Sequence, residues 1–312
     1  MGRVIYIDGP EKAGKTTLIA ALKSKLESDG VMVHTRHWGV VKPDDRVYAP
    51  ALEADLGRGT KGVVIWDRGW ASEAVYGSLL NRQRRGATNP WILEWLHGRA
   101  VVGNGLRIMY LPMNTKVSLQ YRDDTDLPVN PEAEYYEYLN YARRFRYDIF
   151  TNNYTDWGLQ QTVERIVDTL PEEGEVSPKY ITNDLEAPLA PRVILGEARN
   201  KNDFKTMAGA WLPFTSAKMC QFVQKYFGDD AFLFSWTNVE DFEHGMVPMR
   251  RLRTAGEVFT FGEKAKAFCV ANNVRVDSAF SHPAFFSRWN TERGRTELAR
   301  FEAQYKGAFD IV

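Results

Sequence analysis

Two kinds of hydrophobic pattern alternate along this chain. Short, nearly continuous apolar runs, RVIYID at 3–8, GVVIWDRG at 62–69 and LRIMYLPMN at 106–114, have the length and β-branched content of strands buried on both faces. Behind the first of them, LIAALKSKLESDG at 18–30 repeats apolar residues at helical spacing and stops at a glycine. Strands alternating with helices predict an α/β fold with a doubly wound parallel sheet, whose ligands gather at the carboxyl ends of the strands.

The periodicity lapses after Leu170, where PEEGEVSPKYITNDLEAPLAP is rich in proline, glycine and acidic residues and reads as a linker. A second α/β pattern follows: a strand RVILG, a helix over Ser216 to Tyr226, strands AFLFSWTN and EVFTFG, a helix through Val270, and a terminal helix over Thr291 to Tyr305. No repeat of the first half is visible. The expectation is two α/β domains, 1–170 and 191–312, joined by a linker at 171–190.

Length changes this picture little, since 312 residues suit two domains. Composition removes some classes. The formal net charge is +0, so no global basic field advertises nucleic acid, although a local patch is compatible with it. The two cysteines, Cys220 and Cys269, lack metal-site spacing, and no apolar run has membrane length or the form of a signal peptide. The reading is a reduced, soluble, cytoplasmic protein with no membrane partner.

Chemistry enters at GPEKAGKTT, residues 9–17. Gly9, Gly14, Lys15 and Thr16 complete the pattern G-x-x-x-x-G-K-[ST] between a strand and a helix, and Thr17 extends it. In that arrangement backbone N–H groups curl around phosphates, the lysine reaches the terminal phosphates, and the threonine hydroxyl holds Mg²⁺. The helix N-terminus adds its own attraction for the anion. Asp67 and Arg68 follow a strand at the same edge. The carboxylate there can take a proton from an attacking hydroxyl or hold magnesium through water, and the arginine can neutralise phosphate charge. ATP and Mg²⁺ are the cofactors so implied. Arg36 and Trp38, in HTRHWG at 34–39, have the planar faces that suit a nucleobase. The basic run NRQRR at 81–85 suits a nucleic-acid backbone or a solvated helix face.

With GPEKAGKTT, DRGWASEAVYG and a strand ending YLPMN in this order, residues 1 to about 170 resemble the thymidylate kinase and deoxynucleoside kinase group. The resemblance implies that Asp67 and Arg68 serve the phosphoryl acceptor. It also implies an arginine-bearing lid within QYRDDTDLPVNPEAEYYEYLNYARRFRYD, with Arg122, Arg143 and Arg144 as candidate phosphate contacts. The segment departs from a monophosphate-kinase lid in being acidic, with Asp123, Asp124 and Asp126 and fewer arginines, which points away from a small phosphorylated acceptor.

From residue 191 onward, VILGEARNKND, LPFTSAKMC, FLFSWTN, VFTFG and FSHPAFFSRW resemble the uracil-DNA glycosylase superfamily. That resemblance implies Glu197 in the first pocket loop, Asn238 as reader of a base edge and His282 in a loop that enters DNA. An asparagine amide offers a paired donor and acceptor to a pyrimidine, and a histidine can bond a base carbonyl. Arg199 and Asn200 stand where relatives commonly carry proline and glycine, and Asp203 is a candidate for the water-activating carboxylate. Phe285 and Phe286 have the size to wedge between bases. Arg250, Arg251 and Arg253 form a basic cluster suited to phosphates or to solvent.

A kinase half joined to a base-flipping half suggests one substrate seen by both, namely DNA containing a modified pyrimidine. The combination resembles the 5-hydroxymethyluracil DNA kinases of bacterial viruses. Two other readings use the same motifs. One is a soluble kinase of dTMP or 5-hydroxymethyl-dUMP with an accessory domain, and the other is a DNA-binding module or glycosylase with a nucleotide-dependent switch.

Overall fold

The computed structural model describes residues 3–39, 48–57, 62–81, 89–102, 105–123, 128–170, 192–198, 200–201, 203, 212–245, 247, 249–286 and 291–308. The chain divides into two compact units, Met1–Ser177 with Thr206–Ala208, and Pro178–Lys205 with Gly209–Val312. The linker expected over 171–190 lies outside the described residues. Both units are α/β, and each is built on one parallel sheet.

In the first unit the elements run β1 (Arg3–Asp8), α1 (Lys15–Ser28), β2 (Val33–His37), α2 (Tyr48–Gly57), β3 (Val63–Asp67) and α3 (Trp70–Leu79). Then come α4 (Pro90–Leu93), a π-helical turn (Glu94–Gly98), α5 (Arg99–Val102), β4 (Gly105–Pro112), α6 (Thr115–Gln120), α7 (Pro131–Phe145), β5 (Asp148–Asn152) and α8 (Asp156–Thr169). The strands lie in the order β2-β3-β1-β4-β5, all parallel. From β1 the chain runs outward to β2, and from β3 it crosses back past β1 to β4. The loops after β1 and β3 therefore open a crevice at the carboxyl edge.

Side-chain alternation gives the sheet two different faces. Ile5, Ile7, Val63, Ile65, Ile108 and Phe150 point to one face. There they meet Leu18, Ile19, Leu22 and Leu26 of α1 and Val163 and Ile166 of α8. The spacing 18, 19, 22, 26 is one helical stripe, and burying each such leucine stabilises the unit by about 1.5–3 kcal/mol. The other face is aromatic. Tyr6 stacks on Trp70 at 4.2 Å, and Trp66, Trp91 and Trp95 are fully buried around them. Core packing thus accounts for most of the tryptophan richness. Buried Glu94, on the π-helical turn, organises this face. It accepts bonds from Trp70 Nε1, Tyr141 Oη and Tyr147 Oη, and pairs with Arg107 Nη1 at 2.6 Å.

The second unit runs β6 (Arg192–Gly196), α9 (Ala217–Tyr226), a 3₁₀ turn (Gly228–Leu233), β7 (Phe234–Asn238), α10 (Val239–Glu243) and α11 (Met249–Arg253). It continues through β8 (Glu257–Phe261), α12 (Glu263–Ala271), β9 (Ser278–Phe280), α13 (Pro283–Phe286) and α14 (Glu292–Ala308). Its strands lie in the order β7-β6-β8-β9, all parallel. The strand expected over AFLFSWTN is shorter than its apolar run. Ala231 to Leu233 belong to the 3₁₀ turn, where the Ala231 carbonyl accepts a bond of 2.7 Å from Trp236 Nε1. Phe222, Phe261, Phe280 and Phe301 form the aromatic core beneath the sheet.

Candidate functional site

The carboxyl edge of the first sheet carries a cavity of about 540 Å³, to which all five strands or the segments that follow them contribute. Glu11 to Thr17 come from the loop after β1 and the head of α1, His37 from the end of β2, and Asp67 and Arg68 from the end of β3. Asn152, Tyr154, Thr155, Asp156 and Leu159 come from β5 and α8, and Tyr121 follows α6.

Two glycines are required by close approach. A Cβ on Gly9 would lie 2.1 Å from the Tyr110 carbonyl, and one on Gly14, at φ +88°, 2.4 Å from Asn152 Nδ2. Gly14 begins α1 without a side-chain cap, so the N–H groups of the first turn face the cavity with the positive end of the helix dipole. Thr16 and Thr17 are exposed there. Lys15 is buried, and its Nζ donates to the Gly9 and Pro10 carbonyls at 2.7 and 2.6 Å. Burial, aided by the charge of Arg68, pulls its pKa down to about 8, against Asp8, Asp67 and Glu134. Beneath the loop, Asp8 accepts from Tyr6 Oη, Gly9 N, and Ser72 N and Oγ, which fixes the strand end.

Asp67 ends β3 in register with Ile7 of β1 and His37 of β2. Its Oδ2 lies 2.8 Å from His37 Nδ1, and its Oδ1 is buried with no hydrogen-bond partner. Arg68 holds a left-handed backbone at φ +68°, unusual outside glycine and the kind of strain found at functional sites. The turn is fixed by Arg68 N donating to the Ile7 carbonyl. The guanidinium sits 3.7 Å from Glu11 and over the Tyr76 ring. Burial opposes its charge, but Tyr138, Tyr76, Asp8 and Glu11 outweigh that and hold its pKa above the ordinary range.

Among the described residues no group of three or more His, Cys, Asp or Glu side chains could cage a metal. The donors present, the exposed Thr16 hydroxyl and the unpartnered Asp67 Oδ1, fit a magnesium ion held mostly by phosphate oxygens and water.

The other sequence-derived candidates fall in different places. Arg122 does not line the cavity but bonds Glu134, which also accepts from Glu11 N at 2.9 Å and Tyr76 Oη at 2.5 Å. Asp123 pairs with Lys12 of the phosphate loop at 3.0 Å. Arg143 and Arg144 depart from the lid expectation. They are exposed on the last turn of α7, five and four residues before β5 begins at the amino edge of the sheet, opposite the cavity. Arg36 forms a bidentate pair with Asp55 at 2.8 Å, and Asp55 also accepts from Trp66 Nε1. Trp38 packs on Tyr48 and Trp66 at ring distances of 4.9 and 5.1 Å. Strand alternation sends both to the aromatic face and leaves His37 at the cavity. Sequence reasoning passed over His37 although its neighbours were singled out. It also passed over Tyr121 and Tyr154, whose rings stack at 5.7 Å. Most of the basic run 81–85 lies outside the described residues.

In the second unit Glu197, Asn238 and His282 follow or end β6, β7 and β9 at the carboxyl edge. A Cβ on Gly196 would lie 2.4 Å from Asn238 Oδ1, while the buried Asn238 Nδ2 has no partner. His282 Nδ1 accepts from Ala284 N at 3.1 Å, so the neutral ring carries its proton on Nε2. Burial lowers its pKa, partly offset by Glu197 and Asp203. Glu197 Oε1 accepts from Lys264 N at the head of α12. Asp203 accepts from the backbone N–H groups of Asn200, Thr215 and Ser216, which makes it a loop anchor. Arg250 and Arg253, three apart on α11, are exposed, whereas Arg251 is half-buried in a crevice with Val193 and Thr237. Arg199 and the side chains of Phe285 and Phe286 lie outside the described residues. Cys220 and Cys269 are both buried, and neither is in a disulfide. No helix among the described residues is long and apolar enough to cross a membrane.

No protein-family model and no curated protein matches the chain. Among solved structures, the YorR protein of Bacillus subtilis, in complex with phosphorylated GDP, is similar at a TM-score of 0.36 and 14% identity. The match covers 53% of this chain and 94% of that one, a likeness too slight to bear on function.

Proposed function

We propose that the protein is an ATP-dependent phosphotransferase whose acceptor is the hydroxymethyl group of 5-hydroxymethyluracil in DNA, a step toward hypermodified thymine. The observation that carries the phosphotransfer reading is the convergence of the α1 head, Lys15, Asp67 and Arg68 on one cavity at the carboxyl edge of a parallel sheet. The loop from Gly9 to Thr17 holds the polyphosphate, and Lys15 and Arg68 neutralise charge on the transferring group. Thr16 would hold a Mg²⁺ ion, which would supply positive charge to offset that of the phosphates when bound. Asp67 orients the acceptor side.

The DNA part of the reading rests on the sequence resemblance of the second half. It is supported by Asn238, Glu197 and His282 lying along one sheet edge, with an unpartnered amide donor and an Nε2–H suited to a pyrimidine. The test uses γ-labelled ATP with 5-hydroxymethyluracil DNA, thymine DNA, dTMP and 5-hydroxymethyl-dUMP, followed by digestion. Label on the base of the modified DNA alone is expected. Label on a free monophosphate would return the protein to nucleotide metabolism, and release of free base from uracil-containing DNA would make the second half a glycosylase.

A further inference from the structure

We propose that Asp156 reads the base of the phosphate donor against a platform of Tyr121 and Tyr154, and that the site holds guanine nucleotides more tightly than adenine nucleotides. This inference rests on the nucleotide-binding part of the reading above and deepens it: ATP remains a donor, and GTP is a second and tighter one.

Strand order fixes where the base lies. The phosphate loop leads into α1 after the central strand β1, and Asp67 and Arg68 come at the end of β3 on one side of it. A triphosphate whose terminal group meets Asp67 and Arg68 directs its nucleoside the other way, toward β4 and β5. There the cavity is lined by Tyr121, after α6, and by Tyr154, Asp156 and Leu159, after β5.

The platform is anchored to the phosphate loop. Tyr154 Oη donates to the Lys12 carbonyl at 3.1 Å, and its backbone, at φ +58°, donates to Asn152 Oδ1 at 2.8 Å. Asn152 Nδ2 in turn donates to the Ala13 carbonyl at 2.9 Å. Two bonds thus tie the loop after β5 to the phosphate loop and set the spacing between rings and phosphates. Tyr121 stacks on Tyr154 at 5.7 Å, with the rings 17° from parallel, and is 57% exposed, which leaves ring surface for a base. Stacking holds any base and selects none.

Selection falls to the polar group beside the rings. Among the described residues, Asp156 is the one charged side chain that β5 and α8 give the cavity. It is exposed, and among those residues its carboxylate has no hydrogen-bond or ion-pair partner. The Thr155 hydroxyl next to it is engaged, donating to Asn153 Oδ1 and accepting from Gly158 N. A carboxylate accepts only, so it pairs with a base edge that donates. Among the common bases guanine alone offers two adjacent donors, N1–H and N2–H, to match the two carboxylate oxygens. Adenine sets N6–H beside the N1 lone pair, which meets the second oxygen as acceptor against acceptor. Uracil and thymine flank their single N3–H with two carbonyls.

The test is calorimetric titration, with Mg²⁺ present, of the non-hydrolysable β,γ-imido forms of GTP, ATP and XTP into wild type and Asp156→Asn. Transfer from γ-labelled GTP and ATP is measured beside it. Wild type should bind the GTP form roughly 5- to 100-fold more tightly than the ATP form. An asparagine offers one donor and one acceptor, which complement the O2 carbonyl and N1–H of xanthine. Asp156→Asn should therefore weaken the GTP form and strengthen the XTP form, inverting their order, a gain that a structural role for Asp156 would not give. If wild type binds the ATP form as tightly as the GTP form, or if Asp156→Asn fails to invert GTP and XTP, the base assignment is overturned, and label passed from ATP would keep the phosphotransfer reading. If folded wild type binds none of the three, the phosphate-loop reading falls and this inference with it. If the guanine preference and the inversion appear but neither donor labels DNA or monophosphate, the base assignment stands and the phosphotransfer reading falls.

Discussion

His97 is the side chain whose environment makes the sharpest residue-scale statement about stability. It is 3% exposed on the π-helical turn, beside Trp70 and Tyr48, and burial lowers its pKa from 6.5 to about 4. Between those pH values the unfolded chain binds a proton that the folded chain refuses. Stability is therefore complete above pH 6.5 and falls as the pH drops toward 4. At 1.36 kcal/mol for each pKa unit the loss from this residue is about 3 kcal/mol. Urea denaturation of wild type at pH 7 and pH 4.5 should show the decline, and His97→Gln should show a smaller one. An equal decline in both would assign the acid sensitivity elsewhere. At this scale the phosphate-loop residues were legible because their spacing is local. His37 was not, since its partner Asp67 lies 30 positions away.

At the scale of elements, the course of α7 separates the three arginines grouped in one lid by sequence. Asn130 opens the helix by accepting from Glu132 N and Ala133 N, and Arg146, at φ +56°, ends it. Glu134 in its first turn reaches Glu11 of the phosphate loop, so Arg122 acts on the cavity through Glu134. Arg143 lies nine positions farther on, about 14 Å along a helix axis. Arg122→Ala leaves the buried Glu134 without its cation and should weaken ATP binding by about 2–3 kcal/mol, whereas Arg143→Ala/Arg144→Ala should leave it within about 0.5 kcal/mol. Calorimetric titration with ATP distinguishes the two, and an equal effect would restore the lid assignment of the pair. Strands β5 and β9 escaped sequence reading for physical reasons. DIFTN follows a helix without a glycine or proline break, and Ser278–Phe280 is only three residues long.

For the whole molecule, each unit has its own sheet and core, so the two halves can be impaired separately. Lys15→Ala removes the charge nearest the phosphates and should lower transfer to any acceptor by roughly 10²–10³-fold. Asn238→Ala removes an amide suited to a base edge. It should raise KM for the DNA by roughly 5- to 100-fold, the equivalent of about 1–3 kcal/mol, while ATP affinity stays at the wild-type value. Parallel measurements of transfer and ATP binding check both. Loss of ATP binding in Asn238→Ala would count against a division of labour.

The sequence by itself determined the α/β class and the phosphate loop. It did so because hydrophobic period and the strand-loop-helix motif are properties of contiguous residues. Only the tertiary structure decided which side chains share the cavity. Parallel register brings Asp67 beside His37, and packing brings Glu134 to Glu11 across 123 positions and Tyr154 to Lys12 across 142. Side-chain alternation then turned Arg36 and Trp38 toward the aromatic face of the sheet and left His37 facing the site, a choice set by strand pairing that no local spacing records.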